Sequence, residues 1–358
     1  MRNESITVAD LFKFNYYKCL RSEYAKNECS LCIDICPEDA MVFDRARLTL
    51  DADRCTGCAA CMGSCPTEAL ISDLFDPNRF VLEFSASENR LLSCKENVPC
   101  LAALSSEHLI SIVLRKEDEA ICDLSHCSEC AINRDNKVLQ TIENSIDESN
   151  RFLRLCNVPG GISVKTDRLE NEVEMERRGM FKKLFQASRE IQEDASMAEL
   201  VPPEHEKQPL KRIMLKNSLK RIAADLEANS GEIPFSFVAG KLIDPDICNN
   251  CQECAMFCPS EALSILKDNT GIVFQQGRCI ACGICDDLCQ SKAITNDPRL
   301  DLVNFAFDRM DLLVKHTLEI CEECKVAFPY RGGEKVCDRC ADYKDHFSDI
   351  FTLAKDME

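Results

Sequence analysis

Four runs take up sixteen of the chain's 26 cysteines, and their spacing constrains the fold more than any other feature. Cys55, Cys58, Cys61 and Cys65 read C-x2-C-x2-C-x3-C-P, and Cys248, Cys251, Cys254 and Cys258 repeat the spacing and the trailing proline. Cys279, Cys282, Cys285 and Cys289 keep the spacing but place Gln290 at the proline position. In the first run Cys29, Cys32 and Cys36-Pro37 are in place, while the leading cysteine is displaced to Cys19. Cysteine at this density means either a disulfide framework or metal ligation. Disulfide-rich folds are typically short and secreted, so a 358-residue chain with phased runs favours metal.

The length suits two or three domains, and the hydrophobic fraction of 45% is enough for packed cores. Met1–Phe14 carries Glu4 and Asp10 and lacks a signal-peptide pattern, and no run of about 18 apolar residues offers an integral membrane segment. The expected location is the cytoplasm, where thiols stay reduced. Arg177-Arg178-Gly179-Met180-Phe181-Lys182 imitates a twin-arginine export signal, but it is internal and followed by polar sequence. A net charge of −18 excludes nucleic acid as a partner class; it either steers a basic redox partner or simply keeps the chain soluble.

An internal repeat organises the chain. Residues from about 15 to 75 and from about 240 to 300 each hold two runs, and a similar segment follows each fourth cysteine: Pro37–Met41, Pro66–Leu70, Pro259–Leu263 and Gln290–Ile294. These two blocks, about 120 residues in all, resemble bacterial two-cluster ferredoxin domains. The resemblance implies reciprocal ligation, in which three cysteines of one run and the fourth of its neighbour hold one [4Fe-4S] cluster. On that pattern Cys55, Cys58, Cys61 and Cys36 form one set, and Cys29, Cys32, Cys65 and Cys19 the next. Cys248, Cys251, Cys254 and Cys289 form the third set, and Cys279, Cys282, Cys285 and Cys258 the fourth. Four [4Fe-4S] clusters are therefore expected. Either Cys19 completes its set or that site holds a three-iron cluster. Loss of proline after Cys289 is expected to leave ligation intact but to alter the turn and the hydrogen bonding of the sulfur.

Between the blocks, Phe80–Phe84 reads as a strand, Glu107–Arg115 as a helix, Ala120–Cys122 as a strand and Lys137–Leu155 as a long helix closed by Pro159-Gly160-Gly161. This alternation suggests a small α/β domain. It contains Cys94, Cys100, Cys122, Cys127, Cys130 and Cys156. The first five either converge on one further iron–sulfur cluster or are ordinary buried thiols. The arrangement is weakly similar to the small iron–sulfur subunits that serve hydrogenases and formate dehydrogenases, and it lacks the paired-cysteine CCG signature of heterodisulfide reductases.

A helical connector is expected next, with Phe181, Leu184, Phe185 and Ile191 on one face and Leu215, Leu219, Ile222 and Leu226 on another, separated by Pro202-Pro203. Lys207, Lys211, Arg212, Lys216, Lys220 and Arg221 occur there with no acidic residue between them. They mark either a docking face for an acidic partner or anionic membrane surface, or an amphipathic helix lying over the acidic modules of the same chain. A helix-like stretch from Leu300 to Leu318 leads to Cys321, Cys324, Cys337 and Cys340. These form two C-x2-C knuckles that resemble a zinc ribbon, with rubredoxin-like iron the alternative.

The expected fold is α+β, with a first dicluster ferredoxin domain (1–78), a small α/β domain (79–161), a helical connector (162–235), a second dicluster domain (236–300) and a helix plus zinc-ribbon-like tail (301–358). No glycine-rich dinucleotide fingerprint or phosphate loop is present, and the five histidines form no constellation. The chain resembles polyferredoxins that accompany molybdenum- or tungsten-dependent formate dehydrogenases and hydrogenases. That resemblance implies an electron relay to a protein redox partner. A maturation factor for a molybdoenzyme, or a reductase whose active-site cluster lies in the middle domain, are the alternatives.

Overall fold

The two cysteine-rich halves fold alike because equivalent residues recur at equivalent turns. The structure, a computed structural model, describes residues 12–24, 26–44, 47–167, 207–226, 230–232 and 235–347. In the first half, β1 (Phe12–Phe14), α1 (Leu20–Glu23) and α2 (Leu31–Asp34) lead to a hairpin of β2 (Met41–Asp44) and β3 (Arg47–Leu50). Helix α3 (Ala60–Ser64) follows, and β4 (Leu70–Ser72) pairs antiparallel with β1. The third residue after the fourth cysteine of each run, Asp39, Glu68, Glu261 or Lys292, takes a left-handed backbone with φ of 47°, 54°, 54° and 56°. The same sharp turn thus feeds each buried strand start, such as Met41 and Leu70.

The middle region differs from expectation at Phe80–Phe84, which lies inside helix α4 (Pro77–Ala86) rather than in a strand. The Asp76 carboxylate accepts from the amides of Asn78 and Arg79, and Pro77 presets the first turn. Phe80 and Phe84, one turn apart, then stack at 5.4 Å. This start signal outweighs the β-propensity of the apolar run. Next come β5 (Leu91–Leu92), α5 (Ser106–Lys116), β6 (Ala120–Asp123), α6 (Lys137–Leu155) and β7 (Ile162–Lys165). The three strands form a parallel sheet in the order β5-β6-β7. β7 belongs to this sheet although its residues fall within the segment expected to be connector.

The apolar face of Phe181, Leu184, Phe185 and Ile191, the Pro202-Pro203 break and the Arg177–Lys182 segment lie outside the described residues. The connector resumes with α7 (Leu210–Arg221), α8 (Ala223–Leu226) and β8 (Ser230–Glu232). The second cysteine-rich half contains β9 (Gly240–Ile243), α9 (Glu253–Met256), the hairpin β10 (Leu263–Ile265) and β11 (Gly271–Phe274), α10 (Ile284–Leu288) and β12 (Ile294–Asp297), which pairs with β9. The expected helix from Leu300 to Leu318 is broken into β13 (Arg299–Asp301), α11 (Leu302–Phe307) and β14 (Asp311–Lys315). Asp308, at φ 51°, ends α11 and redirects the chain so that β14 extends the β10–β11 hairpin. The tail is a hairpin of β15 (Leu318–Ile320) and β16 (Ala327–Pro329), followed by α12 (Asp338–Phe347).

One large core joins these parts. Phe152 of α6 is fully buried against Phe235, Phe237 and Phe305, with ring centroids 5.3, 5.6 and 6.1 Å away. Helix α7 runs through this core instead of presenting a basic face to a partner or lying over the modules as an amphipathic cover. Its side chains Lys211, Arg212 and Lys216 are only 3%, 1% and 2% exposed. Arg212 donates from Nε to Glu107 of α5 at 2.6 Å, and from its terminal nitrogens to the carbonyls of Gly277, Cys279 and Phe237. Lys211 donates to the Cys65 carbonyl at 2.6 Å, and Lys216 to Asp308 at 2.5 Å. Glu68 accepts from the amides of Leu210 and Lys211 at the start of α7.

Glu107→Gln keeps the shape but leaves the Arg212 and Lys211 charges buried without their counter-ion. It is expected to destabilise the fold by about 3–5 kcal/mol, the usual cost of breaking a buried ion pair. Anaerobic urea denaturation measures this, and an unchanged midpoint would contradict the role assigned to the pair.

Candidate metal centres

Each cysteine run is a curled loop entering a short helix. Gly57, Asn250 and Ala281 precede the second cysteine of their runs, and Ala59, Gln252 and Gly283 follow it. All six have left-handed backbones. Burial pushes the Cys32 thiol up to about 12, and the charges of Cys65, Cys29 and Cys19 add to the rise. Cys29 is likewise raised by burial and by Cys65 and Cys19. The structure therefore brings Cys19 to Cys29, Cys32 and Cys65 despite the nine-residue gap. The chain folds back through a 3-10 turn at Tyr16–Lys18 and helix α1.

The other three sets assemble in the same crossed manner. Burial holds Cys61 well above its ordinary value, and Cys58, Cys32, Cys55 and Cys36 act on it. A cavity lined by Cys36, Cys55, Cys58 and Cys61 lies among Met41, Leu50 and Phe75. Cys254 is pushed up to about 12 by burial, with Cys251, Cys248 and Cys289 as its charged neighbours. Cys282 also rises to about 12 by burial, with Cys279 and Cys258 beside it, and Cys285 is raised by burial, Asp286, Cys279 and Cys282. Four facing thiolates repel one another and resist desolvation. Such a donor set is stable in its ionised form only around a cationic centre, so the sets fit a metal cluster.

Backbone amides tune several sulfurs. Ala40 donates to Cys36 Sγ at 3.2 Å, Ala69 to Cys65 Sγ at 3.3 Å and Ala293 to Cys289 Sγ at 3.2 Å. Replacement of proline by Gln290 was expected to change this bonding and the turn. Instead the Cys289 turn keeps both its left-handed residue and its sulfur hydrogen bond, because they depend on the residues three and four positions after the cysteine.

The two halves meet at their cysteine loops. Leu20, Ile280 and Ile284 form a small buried cluster, and Cys29 of the first half and Cys282 of the second both pack against it. One inner set of each half therefore faces the other across aliphatic side chains.

In the middle region Cys94 and Cys100 follow β5, while Cys127 and Cys130 follow β6. Cys122 lies inside β6, fully buried, and its thiol is pushed up to about 12 by burial and by Cys127. Cys156 caps the far end of α6, away from these loops, and burial alone holds it at about 12.

The tail brings Cys321, Cys324, Cys337 and Cys340 together, with all four sulfurs within 4.8 Å of one another. Cys324 Sγ and Cys337 Sγ are 3.8 Å apart. That equals the edge of a tetrahedron with metal–sulfur bonds of about 2.3 Å, so the quartet fits a single four-coordinate ion. Burial would raise the Cys321 thiol, but amides of Cys337, Cys324 and Glu323 donate to it and bring it down to about 6. Burial and the neighbouring thiols push Cys340 up to about 12. The tail also touches the second half: Arg331 donates to the Cys248 carbonyl at 2.7 Å. Because Cys321 is ionised above pH 6, zinc uptake by the tail at pH 7.5 is expected to release fewer than four protons. Affinity should rise with pH because zinc must displace the protons that the other thiols, Cys340 among them, still hold; proton release measured by pH-stat, and zinc binding followed from pH 6 upward, check both.

Residues that support the sites escaped the sequence reading. Glu107 and Glu68 look like ordinary helix and turn acids, yet they receive α7. The available signal was a dense basic run with acids elsewhere to neutralise it. Gly63 is also required, because a Cβ there would lie 2.1 Å from the Ala102 carbonyl oxygen, where the middle domain rests on α3.

Residues 27–69 match a family model described as a 4Fe-4S dicluster domain, and residues 240–290 match a second model of the same description. The first match begins after Cys19. An uncharacterised ferredoxin of Methanocaldococcus jannaschii is 34% identical over 58 residues, which is 16% of this chain and 92% of that protein. Among the described residues no helix is long and apolar enough to cross a membrane.

Proposed function

This chain belongs to the [4Fe-4S] dicluster ferredoxin family, and on that premise we propose that it relays electrons through four [4Fe-4S] clusters to or from an anaerobic oxidoreductase. The partner class implied by the polyferredoxin resemblance is a molybdenum- or tungsten-dependent formate dehydrogenase or a hydrogenase, in the cytoplasm. The observation that supports this reading is the contact between neighbouring cysteine runs within and between the two halves. Within the first half Cys61 senses Cys32, and between halves Cys29 and Cys282 share one aliphatic contact.

In this reading Cys36, Cys55, Cys58 and Cys61 hold one centre, and Cys19, Cys29, Cys32 and Cys65 its neighbour. Cys258, Cys279, Cys282 and Cys285 hold the third, and Cys248, Cys251, Cys254 and Cys289 the last. A bound cluster supplies reversible one-electron chemistry that no side chain offers. The protein's own residues position and insulate. Leu20, Ile280 and Ile284 keep water from the gap between halves, and the amides of Ala40, Ala69 and Ala293 stabilise sulfur charge. At the outer end Cys251 is exposed, and the neighbouring Met256 and Phe257 are 68% and 52% exposed, an apolar surface beside the ligands for a redox partner. Cys321, Cys324, Cys337 and Cys340 hold structural zinc, since four thiolates leave no open position.

Cys58→Ser and Cys282→Ser are expected to lower electron delivery to the co-purified oxidoreductase by about tenfold or more, while that partner's dye-linked activity persists. Anaerobic steady-state assays of the reconstituted pair measure this. A partner that lacks its own metal cofactor when this chain is absent would replace the relay with the maturation role. Full delivery by both variants would contradict the relay.

A further inference from the structure

The middle domain holds cysteines that the four quartets do not use, and the sheet topology brings their loops together. In a parallel sheet the chain leaves every strand at the same edge, where α/β folds bind ligands. β5 and β6 pair with Leu92 opposite Cys122, so the segments that follow them emerge side by side. The first carries Cys94 and Cys100; the second carries Cys127 and Cys130.

Both loops are tightly built and tied to each other. Ser93 Oγ donates to Asp123 Oδ2 at 2.9 Å, joining the end of β6 to the residue before Cys94. Asp123 Oδ1 accepts from both the amide and the hydroxyl of Ser125. In the first loop the amides of Glu96, Asn97 and Val98 all donate to the Ser93 carbonyl, and Asn97 Nδ2 donates to Leu91. In the second, Cys127 donates to Leu124, Cys130 to Cys127 and Asn133 to Cys130, so the two cysteines stand on successive turns. Asn133 Nδ2 closes the loop on the Cys127 carbonyl at 3.0 Å. Cys100 is buried in the same core against which Cys127 and Cys130 pack.

The pair of loops abuts the first ferredoxin half. The 3-10 turn that follows Cys100 rests on α3, which carries Cys61, and the approach is so close that only Gly63 fits beneath Ala102. Arg134, four residues after Cys130, pairs with Glu38 at 3.8 Å, two residues after Cys36.

We infer that Cys94, Cys100, Cys127 and Cys130 hold a further iron–sulfur cluster, adjacent to the quartet of Cys36, Cys55, Cys58 and Cys61. Two cysteine pairs on stitched loops provide the four thiolates, and the position against α3 sets the site at the end of the array opposite the tail. Its ligands are argued independently of the relay; only its role as a terminal electron site rests on that reading. Cys122, inside β6, is a core residue beside the site.

Iron and acid-labile sulfide counts on the anaerobically purified full chain, with low-temperature EPR during a redox titration, test the assignment. The expected content is about twenty irons per chain, against about sixteen for the four ferredoxin sites alone. Cys94→Ser and Cys127→Ser should each remove about four irons and leave the ferredoxin signals in place, while Cys122→Ala retains the full count. About sixteen irons in the unaltered chain, or zinc in place of the additional iron, would overturn the inference without touching the relay, and this count depends on no variant folding. An iron-poor chain would instead defeat the ferredoxin reading itself.

Discussion

The Arg212 guanidinium, buried between the middle domain and the second cysteine-rich half, gives each of its donor directions a separate part of the chain. Glu107 belongs to the middle domain, Gly277 and Cys279 to the loop of the second half, and Phe237 to the strandless approach before it. Removing such a charge from water costs several kcal/mol unless the site supplies a counter-ion and fills the remaining hydrogen bonds. Both conditions are met only when the parts are docked. The polar contact therefore specifies the arrangement, while the large apolar core around Phe152 stabilises it.

Thiolate ligation imposes the opposite electrostatic demand. Cys32, Cys254 and Cys282 are pushed up to about 12, so the sites favour protonated thiols until a cation displaces the protons. The fold does little to ionise them in advance. The tail quartet differs, since backbone amides already hold Cys321 at about 6. The ferredoxin sites and the tail thus use the same residue type in two ways, one awaiting a multinuclear centre and the other shaped for a single ion.

Much of this was legible in the sequence because it is local. The four runs carry their loop geometry within about ten residues, and helices such as Lys137–Leu155 declare themselves by period and length. Phe80–Phe84 misled because an aromatic apolar run suits a strand, while the decisive Asp76-Pro77 cap lies just upstream. The connector misled more deeply. A dense basic run reads as surface, and nothing local reveals that Glu107, a hundred residues earlier, neutralises it. The crossed quartets follow from the repeat, but the Leu20–Ile280–Ile284 contact joins residues too distant in sequence for any pattern to expose.

Lys211 and Arg212 are consecutive residues of one helix, and they hold the carbonyls of Cys65 and Cys279 respectively. Successive residues of an α-helix are separated by a rise of about 1.5 Å. The two halves are therefore both anchored on one helix turn, and not only through the long chain that connects them. Electron tunnelling falls steeply with distance, so a relay whose halves drifted apart would conduct intermittently. Anchorage of both loops on one helix turn would hold that distance steady while other parts of the molecule breathe.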